Sequence, residues 1–158
     1  MNQQMSVFRW LPCPVVFICS AHENRRDIMT ATAMFVSEKE PLLTISVARG
    51  HLTDRLIEAA GEFVLAIAST SQEQLAVELG SSRGEEQDKY ARFDVRCLAG
   101  IAAAAGVPED SAAWMRCRVE QRQEIPGYTV RIARVTESGH LDRSPLVWKE
   151  DAFFGLKP

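Results

Sequence analysis

The stretch Ile28–Met34, which reads IMTATAM, consists almost entirely of small and hydroxyl-bearing side chains. Its composition favours a strand. A strand that only filled a core would carry larger side chains, because protein interiors are packed to high density. We therefore expect this strand to leave room beside its main chain for something other than core packing.

Length and composition limit the fold and the class of partner. The chain has 158 residues, 46% hydrophobic and 25% charged, which predicts one globular domain over residues 1–158. The net charge of -3 and the pI near 5.7 argue against nucleic acid, because binding to a phosphate backbone needs a concentrated basic face. We expect the domain to bury its core without disulfides or metal ions.

The cysteines and one apolar run indicate the cellular compartment of the protein. The thiols lie too far apart for a C-x-x-C pair or a zinc site, which predicts a cytoplasmic protein with four buried, reduced thiols, Cys13, Cys19, Cys97 and Cys117. The apolar run Pro12–Ala21 is too short to span a bilayer, and no basic cluster precedes it. It predicts a buried strand, and we expect no membrane partner.

Strands dominate the first half of the predicted fold. Short apolar segments rich in β-branched residues predict four of them, at Val15–Ser20, Thr30–Val36, Leu42–Ala48 and Phe63–Ala68. A helix is predicted from a Thr53 cap to a stop at Gly61. A second helix is predicted from Ser71, which has capping-box spacing to Gln74, to Gly80.

The second half predicts a long hairpin. Residues 113–121 and 129–135 alternate apolar and charged side chains on either side of a turn at 125–128. The alanine-rich segment 99–106 fits either a strand or a turn. The tail 144–158 is too apolar to be free and is expected to dock on this subunit or on another. Many short strands with two helices predict a mainly β, antiparallel barrel of Greek-key type.

Three stretches carry the chemistry: MTATA at 29–33, TISVARGHLT at 44–53 and SSRGEEQDKY at 81–90. A phosphate needs hydroxyl or N–H donors and a cation, whereas a flat ring needs a shallow surface with exposed main chain. Small side chains at Ala31, Ala33 and Ala48 would let such a ring approach the strands. Candidate phosphate donors are Thr30, Thr32, Ser46, Arg49, Thr53, Ser81, Ser82 and Lys89.

The order of these stretches resembles the flavin reductase-like proteins. The motifs are Pro14-Val15-Val16, Met29-Thr30-Ala31-Thr32, Pro41-Leu42-Leu43-Thr44-Ile45-Ser46-Val47, a Thr-capped Leu-Ile helix, Gly61-Glu62-Phe63-Val64, Ser81-Ser82 and Asp88-Lys89-Tyr90. The resemblance runs from Pro12 to the end of the predicted hairpin. It implies an FMN-binding split β-barrel of the kind found in short-chain flavin reductases, flavoredoxins and ferric reductases.

The resemblance also implies a cofactor site. Its residues would fall into three groups: Thr30, Ala31, Thr32 and Ala33 along the ribityl chain and ring, Ser46, Val47 and Ala48 at the pyrimidine edge, and Arg49, Thr53, Ser81, Ser82 and Lys89 near the phosphate. The family is generally homodimeric, with FMN beside the subunit boundary. The aromatic tail around Trp148 would then help to close the partner's site.

Two departures concern the electron donor. Many family members carry Gly-Asp-His in the late hairpin turn, where this chain has Pro126-Gly127-Tyr128, and Ile-Gly-Glu-Val on the next strand, where it has Ile132-Ala133-Arg134-Val135. Both weigh against direct use of NAD(P)H and leave the FMN site intact. The leading hypothesis is an NAD(P)H:flavin oxidoreductase acting on free flavin or another acceptor. The alternatives are a flavoredoxin-type FMN carrier between redox proteins and a split barrel that binds no flavin.

Other charged residues are interpreted as solvated. Glu85, Glu86 and Asp88 would repel a phosphate, so we expect them to face water while Lys89 points inward. His51 is expected to be an ordinary exposed loop histidine. The pair at 25–26 is interpreted as a solvated turn, with a place beside an anionic ligand as the alternative.

Overall fold

The computed structural model describes residues 7–100 and 105–157. In chain order its strands are β1 (Cys13–Pro14), β2 (Val16–His22), β3 (Arg25–Ala31), β4 (Met34–Ser37), β5 (Leu42–Ala48), β6 (Glu62–Ile67), β7 (Ala113–Ile125), β8 (Tyr128–His140), β9 (Leu146–Lys149) and β10 (Ala152–Gly155). The helices are α1 (Leu52–Ala60), α2 (Glu73–Gly80) and α3 (Lys89–Arg92), with 3-10 turns at Val7–Trp10 and Thr70–Gln72. None of the described helices is long and apolar enough to cross a membrane.

The strands form two antiparallel sheets. The larger has seven strands in the order β3-β2-β6-β7-β8-β5-β4, and the smaller has the order β1-β9-β10. The mainly β, antiparallel architecture predicted from the sequence is confirmed. The predicted hairpin is present as β7 and β8, which are longer than expected and contain register shifts at Arg116/Cys117 and Val119/Gln121.

The stretch Ile28–Met34 closes the larger sheet. β3 and β4 lie at opposite edges of that sheet, yet only Thr32 and Ala33 separate them in the chain. Such a short connection brings the two edges together, so the sheet must curl into a barrel. The single strand predicted over Thr30–Val36 was therefore wrong, because its two halves pair with different strands, β2 and β5.

Strand β2 is buried on both faces, which explains its continuous apolar sequence. Phe17 and Cys19 pack into one core with Leu79, whereas Val16 and Ile18 pack into a second core. Each large side chain buried in this way stabilises the fold by about 1.5–3 kcal/mol. The predicted buried strand within Pro12–Ala21 is confirmed.

The starts of the two predicted helices need correction. α1 begins at Leu52 with His51 as its N-cap, because the Thr53 hydroxyl donates instead to Asp27 Oδ2 at 2.6 Å. The predicted end of α1 is confirmed, since Gly61 adopts a left-handed φ of 71° there. The capping box is formed by Ser69 and Gln72, two residues earlier than predicted.

The tail docks on its own subunit. β9 pairs with β1, with Cys13 opposite Trp148, and Leu146 is buried in the first core. Of the alanine-rich segment, residues 101–104 lie outside the described residues. The flanking chain forms an isolated bridge between Cys97 and Pro108.

All four cysteines are free thiols, but only Cys19 and Cys117 are buried. Cys13 and Cys97 are partly exposed, so the prediction of four buried thiols was wrong for these two. Burial raises the pKa of both Cys19 and Cys117 to about 12, so these two thiols stay protonated at neutral pH. Within residues 7–100 and 105–157, no group of three or more His, Cys, Asp or Glu side chains is arranged to hold a metal ion.

Candidate functional site

A cavity of about 680 Å³ lies where β3 meets β4 at the closure of the barrel. Its walls come from residues 11–14, from β3 and β5, from the loop after α2 and from the start of β8. This volume is typical of a site for a small molecule or cofactor. Nine of the twelve residues named in the sequence analysis contribute to its wall: Thr30, Ala31, Thr32, Ala33, Ser46, Ala48, Thr53, Ser82 and Lys89.

The other three named residues lie outside the wall. Val47 is fully buried in the second core, because neighbouring residues of β5 point to opposite faces. The Arg49 guanidinium donates to the Ile125 carbonyl at 2.7 Å. The Ser81 hydroxyl donates to the Val77 carbonyl at 2.8 Å, within the last turn of α2.

Most hydroxyls of the cavity wall already have an acceptor. Thr30 donates to the Ala76 carbonyl at 2.6 Å, and Ser82 donates to the Glu78 carbonyl at 2.9 Å. Thr32 and Ser46 are exposed, and within the described residues neither hydroxyl has a partner. These two hydroxyls are therefore available to a ligand that lies against the accessible main chain of β3 and β5.

The polar end of the cavity contains a buried ion pair. Lys89 Nζ donates to the Ile28 carbonyl at 2.9 Å and lies 3.4 Å from Asp27 Oδ1. Both charged side chains are 4% exposed, and the other carboxylate oxygen of Asp27 accepts from Thr53. Lys89 points inward as expected. Its positive charge is already neutralised by Asp27 in the protein without a ligand.

Asp27 was missed by the sequence reasoning. The signal available was an acidic residue placed directly before a run of apolar and small residues predicted to be a strand, where a carboxylate is costly unless it is paired. Its position also explains Gly84 in the loop opposite. A Cβ at Gly84 would lie 2.3 Å from Asp27 Oδ1, so only glycine allows the loop to approach this closely.

The cation that remains available at this end is Arg83. It is exposed, it lines the cavity, and within the described residues it has no ion pair. A planar guanidinium suits a phosphate because it can donate two parallel hydrogen bonds. The sequence reasoning placed this role on Arg49 and Lys89, but Arg49 donates to the Ile125 carbonyl and Lys89 is paired with Asp27.

Of the three acids expected to face water, one also lies in the cavity wall. Glu85 is exposed as predicted, yet it lines the cavity and forms an ion pair with Arg55 at 3.7 Å. Burial alone would raise the pKa of Glu85, but the backbone N–H groups of Glu85 and Leu52, with the charge of Arg55, bring it below its ordinary value. Glu86 is exposed as predicted, and exposed Asp88 is paired with Arg26.

The rim of the cavity is aromatic and apolar. Tyr128 is 48% exposed and Met34 is 64% exposed, and both line the opening together with Leu11. His51 also lines the cavity, at the N-terminus of α1, and its side chain makes no capping hydrogen bond. A planar group entering the cavity would pass between Tyr128 and the small side chains of β3.

The sequence matches the model of one protein family, the flavin reductase like domain, over residues 8–157. The chain belongs to this family. The predicted resemblance is thereby confirmed over nearly the whole chain. No curated protein sequence matches the chain significantly.

Solved structures share the fold at low sequence identity. The NADH:FAD oxidoreductase SgcE6 of Streptomyces globisporus C-1027 is 19% identical, with 96% of this chain and 90% of that chain covered and a TM-score of 0.85. The flavoredoxin of Methanosarcina acetivorans is 16% identical, with coverage of 100% and 90% and a TM-score of 0.83. The flavin reductase PheA2 is 20% identical, with both chains fully covered at 100% and a TM-score of 0.82. The split-barrel fold expected from the sequence is confirmed.

Proposed function

We propose that the cavity binds the FMN moiety of a flavin and that the protein is an oxidoreductase using NAD(P)H to reduce flavin or another acceptor. The observation that carries the proposal is the cavity wall at the barrel closure. There small side chains of β3 and β5 leave main chain accessible, and within residues 7–100 and 105–157 the hydroxyls of Thr32 and Ser46 and the guanidinium of Arg83 have no partner.

The residues present fit such a cofactor. The side chains of Ala31, Ala33 and Ala48 are small enough for a flat ring to lie against the strands. Thr32 and Ser46 can donate to the ribityl chain or to the ring edge. Arg83 can pair with the phosphate. The buried ion pair of Asp27 and Lys89 stabilises the adjoining wall at the polar end of the cavity.

A bound flavin supplies the redox chemistry itself. The chain would hold the ring against β3 and β5, whose small side chains line the cavity, and Tyr128 would lie at the exposed side of the site. No side chain needs to act as an acid or base for hydride transfer, so alignment of the two rings is the main requirement.

The donor is the second part of the proposal. Similarity to an NADH:FAD oxidoreductase supports a nicotinamide donor. Tyr128 occupies the position for which a histidine was expected, and its exposed ring at the opening offers a stacking surface for a nicotinamide. Similarity to a flavoredoxin supports the alternative, in which bound flavin relays electrons between proteins.

Anaerobic mixing separates the two functions. Flavin-loaded protein is mixed with NADH or NADPH, and the flavin absorbance is followed over time. Rapid bleaching supports the reductase, and Tyr128→Ala should then raise KM for the nicotinamide with a smaller effect on flavin affinity. Retained colour that is bleached only by dithionite supports the carrier. Failure to bind any flavin would contradict both.

We propose in addition that the protein is a homodimer. The edge strand β4 carries the exposed side chains Met34, Phe35 and Val36, which are 64%, 68% and 45% exposed. An apolar edge strand of this kind needs a cover, and a second copy would place that cover beside the cavity opening. Light scattering should give the dimer mass, and Phe35→Asp should give the monomer mass. A monomer for the unaltered chain would contradict this proposal.

A further inference from the structure

The β7–β8 turn, residues 125–128, places Tyr128 in the wall of the cavity at its opening. The ring of Pro126 fixes its φ at about -65°, and Gly127 has a φ of 80°. These φ values are typical of a type II turn, whose twist does not match the right-handed twist of two paired strands. The turn therefore needs support from outside the hairpin to hold Tyr128 in one place.

The hairpin has little support on the β7 side of this turn. β6 pairs with β7 only as far as Arg118, so within the described residues 119–125 have β8 as their one neighbouring strand. Ile125 is 38% exposed, so burial does little to fix the end of β7. An ion pair between Arg122 Nε and Glu58 Oε2, at 3.2 Å, joins the strand to α1 before the turn is reached.

Arg49 contacts both sides of the turn. Its main-chain N–H donates to the Gly127 carbonyl at 3.0 Å, and its Nη2 atom donates to the Ile125 carbonyl at 2.7 Å. The second hydrogen bond is charge-assisted, and such bonds are roughly twice as strong as those between neutral groups. Within the described residues Arg49 forms no ion pair, so no carboxylate competes with the Ile125 carbonyl for its guanidinium.

The loop that carries Arg49 is itself tied to the interior of the barrel. The N–H of Gly50 donates to Asp54 Oδ2 at 3.0 Å. Asp54 Oδ1 lies 2.7 Å from Nη1 of Arg131, which is 1% exposed. Arg49 therefore connects an exposed turn to a loop with a buried anchor.

We infer that Arg49 is a positioning residue that holds the β7–β8 turn so that Tyr128 lies at the cavity opening. The consequence for the reaction rests on the proposed function, in which Tyr128 meets the nicotinamide. The inference gives Arg49 a role different from the phosphate contact that the family resemblance implies. The sequence alone could not show this role, because Ile125 is 76 residues away from Arg49 in the chain.

Hydrogen–deuterium exchange of the flavin-free protein tests the positioning. Arg49→Met keeps the alkyl stem and removes the guanidinium. We expect the amides of Gly127 and Tyr128 to exchange about tenfold faster or more, since one hydrogen bond from a charged donor is lost. The matched control is Arg118→Met, which changes a 63% exposed arginine of β7 that does not contact the turn. Exchange at the turn should be unchanged in this control.

Steady-state kinetics of the flavin-loaded protein separates positioning from a general loss of structure. Arg49→Met should raise KM for the nicotinamide about two- to tenfold, the range to which one aromatic contact corresponds, and leave kcat and flavin affinity unchanged. In a Tyr128→Ala background the same substitution should have no further effect on KM, because Arg49 acts through Tyr128. Arg118→Met should leave KM unchanged.

The outcomes distinguish this inference from the proposed function. Unchanged exchange at the turn in Arg49→Met, or a further rise in KM in the Tyr128→Ala background, would overturn the inference. Weaker flavin binding with an unchanged KM would also overturn it and would place Arg49 at the phosphate. A protein that binds no flavin, or whose flavin is not reduced by a nicotinamide, contradicts the proposed function, and the exchange measurement then decides the role of Arg49.

Discussion

Removing the Lys89 ammonium tests how much the buried ion pair with Asp27 contributes to the free energy of unfolding. Lys89 Nζ and Asp27 Oδ1 are 3.4 Å apart, and both side chains are 4% exposed. At an effective dielectric constant of about 20, this separation corresponds to an attraction of about 5 kcal/mol, from which the desolvation of both groups must be subtracted. Lys89→Met keeps the alkyl stem and leaves Asp27 buried without its cation. We expect the free energy of unfolding to fall by about 3–5 kcal/mol.

Urea denaturation without flavin, followed by tryptophan fluorescence, measures this change. The matched control is the double variant Asp27→Asn with Lys89→Met, which removes both charges at similar volume. It should be more stable than Lys89→Met alone, because no uncompensated charge remains. The double-mutant cycle should give a coupling energy above about 1 kcal/mol.

Two results would refute this reasoning. Additive losses in the two single variants would show that the charges do not interact in the folded protein. A Lys89→Met variant of normal stability that no longer binds flavin would show instead that Lys89 meets the phosphate directly, as the family resemblance implies.

Three further substitutions probe neighbouring parts of the site. Gly84→Ala should destabilise the protein by about 1–3 kcal/mol in the same urea assay, because its Cβ would lie 2.3 Å from the Asp27 carboxylate. Unchanged stability would mean that the loop does not pack against Asp27. Arg83→Gln should weaken flavin binding about tenfold or more in calorimetry and leave the unfolding midpoint unchanged. Burial alone would raise the pKa of Asp54, but the Gly50 N–H and Arg131 bring it below its ordinary 3.8. Its stabilisation is therefore present above pH 3.8 and lost as the pH falls through the folded-state pKa, and Asp54→Asn should flatten this loss in acid unfolding.

Alternation and composition were sufficient to predict β2, β5 and β6, because each has at least one buried face. The hairpin of β7 and β8 and the buried strand β2 follow from this pattern. The break at Thr32 could not be predicted in the same way. The residues on both sides of it suit a strand, and β3 and β4 are distinguished only by their pairing partners, β2 at one side of the sheet and β5 at the other.

The start of a helix and the partner of a charged side chain are also difficult to predict from the sequence, because both depend on tertiary contacts. Ser69 and Gln72 have the same spacing as Ser71 and Gln74, and tertiary packing selects the first pair. The sequence likewise identified a polar loop with a cation. It could not show that Lys89 would be buried against Asp27 while Arg83 stayed free, because residues far apart in the chain decide this.

The small side chains at Ala31 and Ala33 serve the fold and the candidate site for the same reason. The chain must pass from one sheet edge to the other within Thr32 and Ala33, which brings the main chains of β3 and β5 close together. Bulky side chains at that crossing would hold the edges apart. The barrel therefore closes around main chain that remains accessible from the cavity, and a planar ligand can lie against it. A substitution such as Ala33→Leu should consequently affect flavin affinity and unfolding free energy together, unlike Arg83→Gln, which should affect flavin affinity alone.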